Sequence, residues 1–145
     1  MHSRLVRILL VVVLGTALAT AAVAPAAVAQ EPPTLTVSLT GTATLVAKGA
    51  AVDVEVVYSC PPDTMSTSIR VDLTQRVSSG RLARGGGVIS DLVCDGAEHT
   101  ATVRVIAEGD TAFKKGDAVA EVAFVVCNPF GCLFGDLPPG TVRIR

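Results

Sequence analysis

The chain has 145 residues, half of them hydrophobic, and a formal net charge of -1. Near-balanced charge leaves no basic footprint for nucleic acid. The length suits one domain, and with no Trp, one Tyr and four Phe its core has to be built from Val, Leu, Ile and Ala.

In chain order, the first element reads as an export signal. Arg4 and Arg7 form a short basic start, residues 8–18 are an uncharged apolar run, and Ala27-Val28-Ala29 supplies small residues for a signal peptidase. The expectation is a helical signal peptide over residues 1–29 and a secreted domain over 30–145, with Gln30 at the new terminus. The rival is an uncleaved anchor, because residues 8–29 are uncharged and about long enough to cross a bilayer. Pro25 and the Ala-rich second half weigh against it. Cleavage would remove two of the twelve basic residues and none of the thirteen acidic ones, leaving a mildly acidic domain.

From Thr34 onward the dominant pattern alternates with period two, which predicts strands. Residues 34–40 place Leu35, Val37 and Leu39 on one face, and 42–48 continue to a break at Gly49. Over 51–60, Val52, Val54, Val56, Tyr58 and Cys60 share a side that should face the core. Pro61-Pro62-Asp63 ends that strand. The next begins near Thr67 with Ile69, Val71 and Leu73 inward. A short piece at 81–84 then precedes Gly85-Gly86-Gly87, which reads as a flexible exposed loop, and 88–94 form another strand. Asp95-Gly96 is a turn signal. Strands follow at 98–107 and 118–126, and after an irregular link through Pro138-Pro139-Gly140 a last one at 141–144. Seven to nine short antiparallel strands with frequent turns predict an all-β, immunoglobulin-like β-sandwich.

Cys60, Cys94, Cys127 and Cys132 all lie in the exported part, and an even number in an oxidising compartment reads as two disulfides. Three pairings are possible. The turn-forming centre of Cys127-Asn128-Pro129-Phe130-Gly131-Cys132 favours 127 with 132 and leaves 60 with 94. C-x4-C without a following helix is not the redox motif, and export argues against four zinc thiolates.

Catalysis finds little support. His99 is the one histidine left after cleavage, it lies early in a strand, and no G-x-S-x-G elbow accompanies it. Asp91, Asp95, Asp110, Asp117 and Asp136 recur at strand ends without a calcium-loop pattern, so turn formation and solubility explain them. Arg70, Arg76, Arg81 and Arg84 sit near the glycine triplet as a candidate patch for anionic wall polymer or lipid headgroups, against the simpler reading of pairing with Asp72 and Asp91. Phe113, Phe130 and Phe134 lie in or beside loops and are the candidate contacts for a ligand or partner, with capping of the core as the alternative.

Residues 94–145 resemble the C-terminal half of the neocarzinostatin-type apoproteins in the Asp95-Gly96 turn after a cysteine, the alternating strand at 100–105, Phe113, and Cys127-x4-Cys132. That resemblance implies a small secreted immunoglobulin-like sandwich able to carry an apolar chromophore. Most of the exported chain is also similar to small secreted actinobacterial proteins of unassigned function, through the leader, Tyr58-Ser59-Cys60-Pro61 and the Cys94-Asp95-Gly96 turn. This likeness implies fold and compartment, with no activity to carry over. The function expected is a non-catalytic binding or envelope-associated module without cofactor or metal, monomeric, with an extracellular or cell-envelope partner. The alternatives are a carrier of a small apolar ligand and, less favoured, a hydrolase built on His99.

Overall fold

Period-two alternation becomes strand wherever one face finds apolar neighbours, and among the described residues it does so seven times. The computed structural model describes residues 34–145; the expected signal peptide, with its helix, lies outside the described residues. The strands are β1 (Thr36–Val46), β2 (Ala51–Ser59), β3 (Ser66–Ser78), β4 (Arg81–Ser90), β5 (His99–Glu108), β6 (Gly116–Asn128) and β7 (Gly131–Ile144). They hydrogen-bond in the order β1-β2-β5-β4-β3-β6-β7 and close into a barrel through a short parallel contact between β1 and β7.

All-β architecture and two disulfides are as the sequence implies. The expected pair of separate sheets is corrected, because both seams between the halves carry ladder pairs. On one seam Arg84, Gly85 and Gly86 of β4 pair with Glu108, Ala107 and Ile106 of β5. On the other, Thr42 and Ala43 of β1 pair with Arg143 and Ile144 of β7. The glycine triplet is therefore strand rather than flexible loop. A Cβ at position 85 would overlap the carbonyl oxygen of Ile106, and one at 87 that of Arg104. Missing side chains let two backbones approach and zip the seam. On the other seam, a bulge between Leu39 and Ala43, with Gly41 at φ +78°, turns β1 so that its second half reaches both β2 and β7.

Two further boundaries differ from expectation. The segments at 34–40 and 42–48 are one strand interrupted by that bulge, and the irregular link before residue 141 belongs to β7. Pro138 and Pro139 fall beside the register shift opposite Ala120–Val122, where a missing N–H costs no ladder bond.

The inward faces meet in a core rich in valine: Val52, Val54 and Val56 of β2, Val71 of β3, Val103 and Val105 of β5, and Val126 of β6 are all fully buried. Each such side chain contributes roughly 1.5–3 kcal/mol when removed from water. The strand directions define two ends. At the far end Phe113, 1% exposed, plugs the barrel, and its N–H donates to the Gly49 carbonyl at 2.9 Å. Buried Gln75 clamps the same loop, donating from Nε2 to the Lys114 carbonyl and accepting the Lys114 N–H at Oε1, both at 2.8 Å. At the near end lie the starts of β1, β3, β5 and β7 and the ends of β2, β4 and β6.

Candidate functional site

Both disulfides stand at the near end. Cys60 joins Cys94 across 34 positions and Cys127 joins Cys132 across 5, with Cα separations of 4.9 and 4.0 Å. This is the pairing the short turn favours. Cys127 and Cys132 are cross-strand partners, so the second bridge locks the β6–β7 hairpin. Inside its turn, the Asn128 Oδ1 accepts the N–H of Phe130 at 2.9 Å and of Gly131 at 3.1 Å, a side-chain turn that fixes Phe130 outward. Formed disulfides are consistent with an oxidising, extracellular setting.

The first bridge anchors the β4–β5 loop to the end of β2, and several hydrogen bonds finish the job. The Val93 N–H donates to the Tyr58 hydroxyl at 3.2 Å, the Leu92 N–H to the Thr67 Oγ1 at 3.1 Å, and the Gly96 N–H to the Cys60 carbonyl at 2.9 Å. Tyr58-Ser59-Cys60 is thus a dock for this loop. Asp95 completes it by accepting the Ala97 N–H and meeting His99 Nε2, both at 2.8 Å. The hydrogen bond from His99, helped by that from Ala97, holds the Asp95 carboxyl below its ordinary value. His99 also stacks at a tilt on Tyr58, with ring centroids 5.7 Å apart. Its polar partner is a carboxylate in a turn, and the Tyr58 hydroxyl beside it is engaged with the Val93 N–H.

On this well-tethered rim the apolar side chains face water. Met65 is 72% exposed, Val93 59%, Phe130 61% and Phe134 72%. Met65 adjoins the second bridge, its N–H donating to the Cys127 carbonyl at 2.8 Å. Of the three candidate contact residues, the structure therefore puts Phe130 and Phe134 on the near end and moves Phe113 into the far-end plug, where it has no surface to offer. Phe124 packs against the core over Gly135, where any Cβ would collide with its ring. Sequence reasoning missed Met65, which belongs to no alternating run, and Val93, which it placed in a strand over 88–94 although β4 ends at Ser90. Their signal was indirect: an apolar residue in the turn after Pro61-Pro62 and another next to Cys94.

A groove of about 460 Å³ opens on the outer face of β3, β6 and β7, lined by Arg70, Asp72, Glu121, Asp136 and Pro139 among others. No phenylalanine lines it. Arg70 is engaged with Asp72 through two hydrogen bonds at 2.7 and 2.9 Å. Arg76, Arg81 and Arg84 lie instead towards the far end of the β3–β4 hairpin, so the four arginines do not form one patch. The acidic residues are dispersed as well: Asp117 pairs with Arg143 at 2.9 Å, Asp95 with His99, and Asp136 lies in the groove. Among the described residues no three His, Cys, Asp or Glu side chains converge as a metal site.

No protein-family model matches the chain, and no curated protein matches it in sequence.

Proposed function

We propose that the protein is a secreted, non-catalytic binding domain whose near end, stapled by both disulfides, is the contact surface. The observation that carries this is the exposure of Met65, Val93, Phe130 and Phe134 on segments held by two bridges and a set of hydrogen bonds. Exposed large apolar side chains on a rigid rim lose little conformational freedom on binding and bury much surface, which is how contact hot spots are built. The far end is filled by Phe113 and Gln75, and its exposed apolar residues, Leu82, Ile106 and Val119, lie on strands away from both disulfides.

Strand order supports an immunoglobulin-like ancestry for this surface. β1-β2-β5 and β4-β3-β6-β7 fit the two sheets of an immunoglobulin-like domain whose fourth strand pairs along its length with the third, here joined at one end through the β4–β5 and β1–β7 seams. In that arrangement the β2–β3 and β6–β7 loops occupy the end that antibody variable domains use for recognition. Likeness to the neocarzinostatin-type apoproteins fits the same fold. Carriage of a small apolar ligand gains no support from the groove, which no phenylalanine lines and which carries four charged side chains, Arg70, Asp72, Glu121 and Asp136.

The test is capture of an extracellular or envelope component by the purified protein, compared with a Met65→Ser, Phe130→Ser, Phe134→Ser variant. Exposed positions of this kind change stability by no more than about 0.5 kcal/mol. The variant should fold with an unchanged melting temperature and lose the captured component. Equal capture by both proteins would refute the assignment.

A further inference from the structure

The β1–β7 seam is zipped only at the far end. Among the described residues, β7 from 131 to 139 has its ladder partner in β6 alone, while the first half of β1 pairs with β2. Along the unzipped part, inward-facing side chains stay accessible: Leu133, opposite fully buried Val126, is 41% exposed, and Leu137, Phe124, Val37 and Leu39 are half-buried. The outward positions of the same stretch are Phe134 and, two residues on, Asp136. Pro138 and Pro139 lack N–H groups and end the usable edge.

We propose that this edge of β7 takes an extended peptide as an added strand, and that the peptide carries a basic residue beside Asp136 and an apolar residue two positions away beside Phe134. The proposal rests on the near end being the binding face. Strand addition supplies main-chain hydrogen bonds, and alternate side chains supply selectivity. One set would point inward beside Leu133 and Leu137, and the other would lie on the outer face. Charge decides the outer set. Arg70 is already held by Asp72, whereas Glu121 and Asp136 have no ion-pair partner among the described residues, although both line the groove next to the edge. A lysine or arginine on the added strand fills that vacancy. A second copy pairing through its own β7 cannot, because residues 131–142 contain no basic side chain.

The probe is a fluorescein-labelled hexapeptide, Thr-Lys-Val-Phe-Val-Thr, whose Lys and Phe fall on one face when extended. Anisotropy titration should show saturable binding, weakened about fivefold or more by Glu121→Gln with Asp136→Asn and by raised salt. The same peptide with Glu for Lys should bind as weakly, and N-methylation of the amides facing β7 should abolish binding. Amide shifts in nuclear magnetic resonance should concentrate on residues 131–137. Absence of binding, or binding indifferent to N-methylation, overturns the proposal. Shifts confined to the Met65 and Phe130 loops overturn strand addition and leave the binding face standing. A concentration-dependent dimer that protects the β7 edge makes a second copy the occupant and likewise overturns it.

Discussion

Gly85 and Gly87 act through the atoms they lack. Each sits where β5's backbone passes so close that a methyl group would overlap a carbonyl oxygen. Gly85→Ala or Gly87→Ala is expected to cost roughly 1–3 kcal/mol, the range for forcing extra volume into a packed site, as read by urea unfolding. An unchanged midpoint would mean the seam does not close there. Composition alone makes three consecutive glycines look like a flexible loop, since close approach of a strand distant in sequence leaves no local mark. Charged residues on the barrel's outside carry a second expectation. The Asp53 carboxylate accepts two hydrogen bonds from Arg104, at 2.7 and 2.8 Å, and these hold its pKa below the ordinary 3.8 against a smaller opposing effect of burial. A depressed carboxylate stabilises the fold above its unfolded pKa, and the contribution is lost as pH falls through the folded value. Asp53→Asn should therefore lower stability near neutrality and flatten its decline on the acid side, measured by thermal melts at a series of pH values. A decline as steep as that of the parent would exclude Asp53 as a contributor.

Among the elements, the most legible were those with unbroken alternation. Val52, Val54, Val56 and Tyr58 in β2 face the core as their spacing requires, and so do Val103 and Val105 in β5. Less legible were β1, β4 and β7, each interrupted by residues usually read as breaks: Gly41, the glycine triplet, and Pro138-Pro139. In each, the interruption serves the barrel, as a bulge, a close approach, or a register shift at a free edge. The disulfides were legible because the short turn left one sensible pairing. Their two loops differ in size, so the chain-entropy account assigns about 4 kcal/mol to Cys60–Cys94 and about 2 kcal/mol to Cys127–Cys132. Replacing Cys60 and Cys94 with alanine should therefore shift the urea midpoint further than replacing Cys127 and Cys132. The reverse order would indicate that the tethered β4–β5 loop contributes little to global stability. The plug at the far end gives a comparison of another kind. Phe113→Ala removes a fully buried ring and should cost about 3–5 kcal/mol, a loss incompatible with a surface contact role.

At the scale of the whole molecule the two ends of the barrel have been given opposite treatment. One is filled by Phe113, clamped by Gln75 and zipped along both seams; the other is stapled at its loops, yet leaves apolar side chains and unpaired strand edges in water. A sequence pattern records which residues face inward along a strand, and this much of the site was readable. It does not record which end of a barrel stays open, because that depends on where β1 and β7 part. Phe130 and Phe134 could thus be picked from their loops, while Met65, Val93 and the β7 edge had to come from the fold. Hydrogen exchange of the native protein, followed amide by amide along β7, tests this asymmetry most directly. The account expects rapid exchange at every second amide between residues 131 and 137, with protection returning at Arg145, whose N–H donates to the Ala43 carbonyl where β1 closes the barrel. Uniform protection from Gly131 to Leu137 would contradict it, since the edge would then already be covered and the near end closed like the far one.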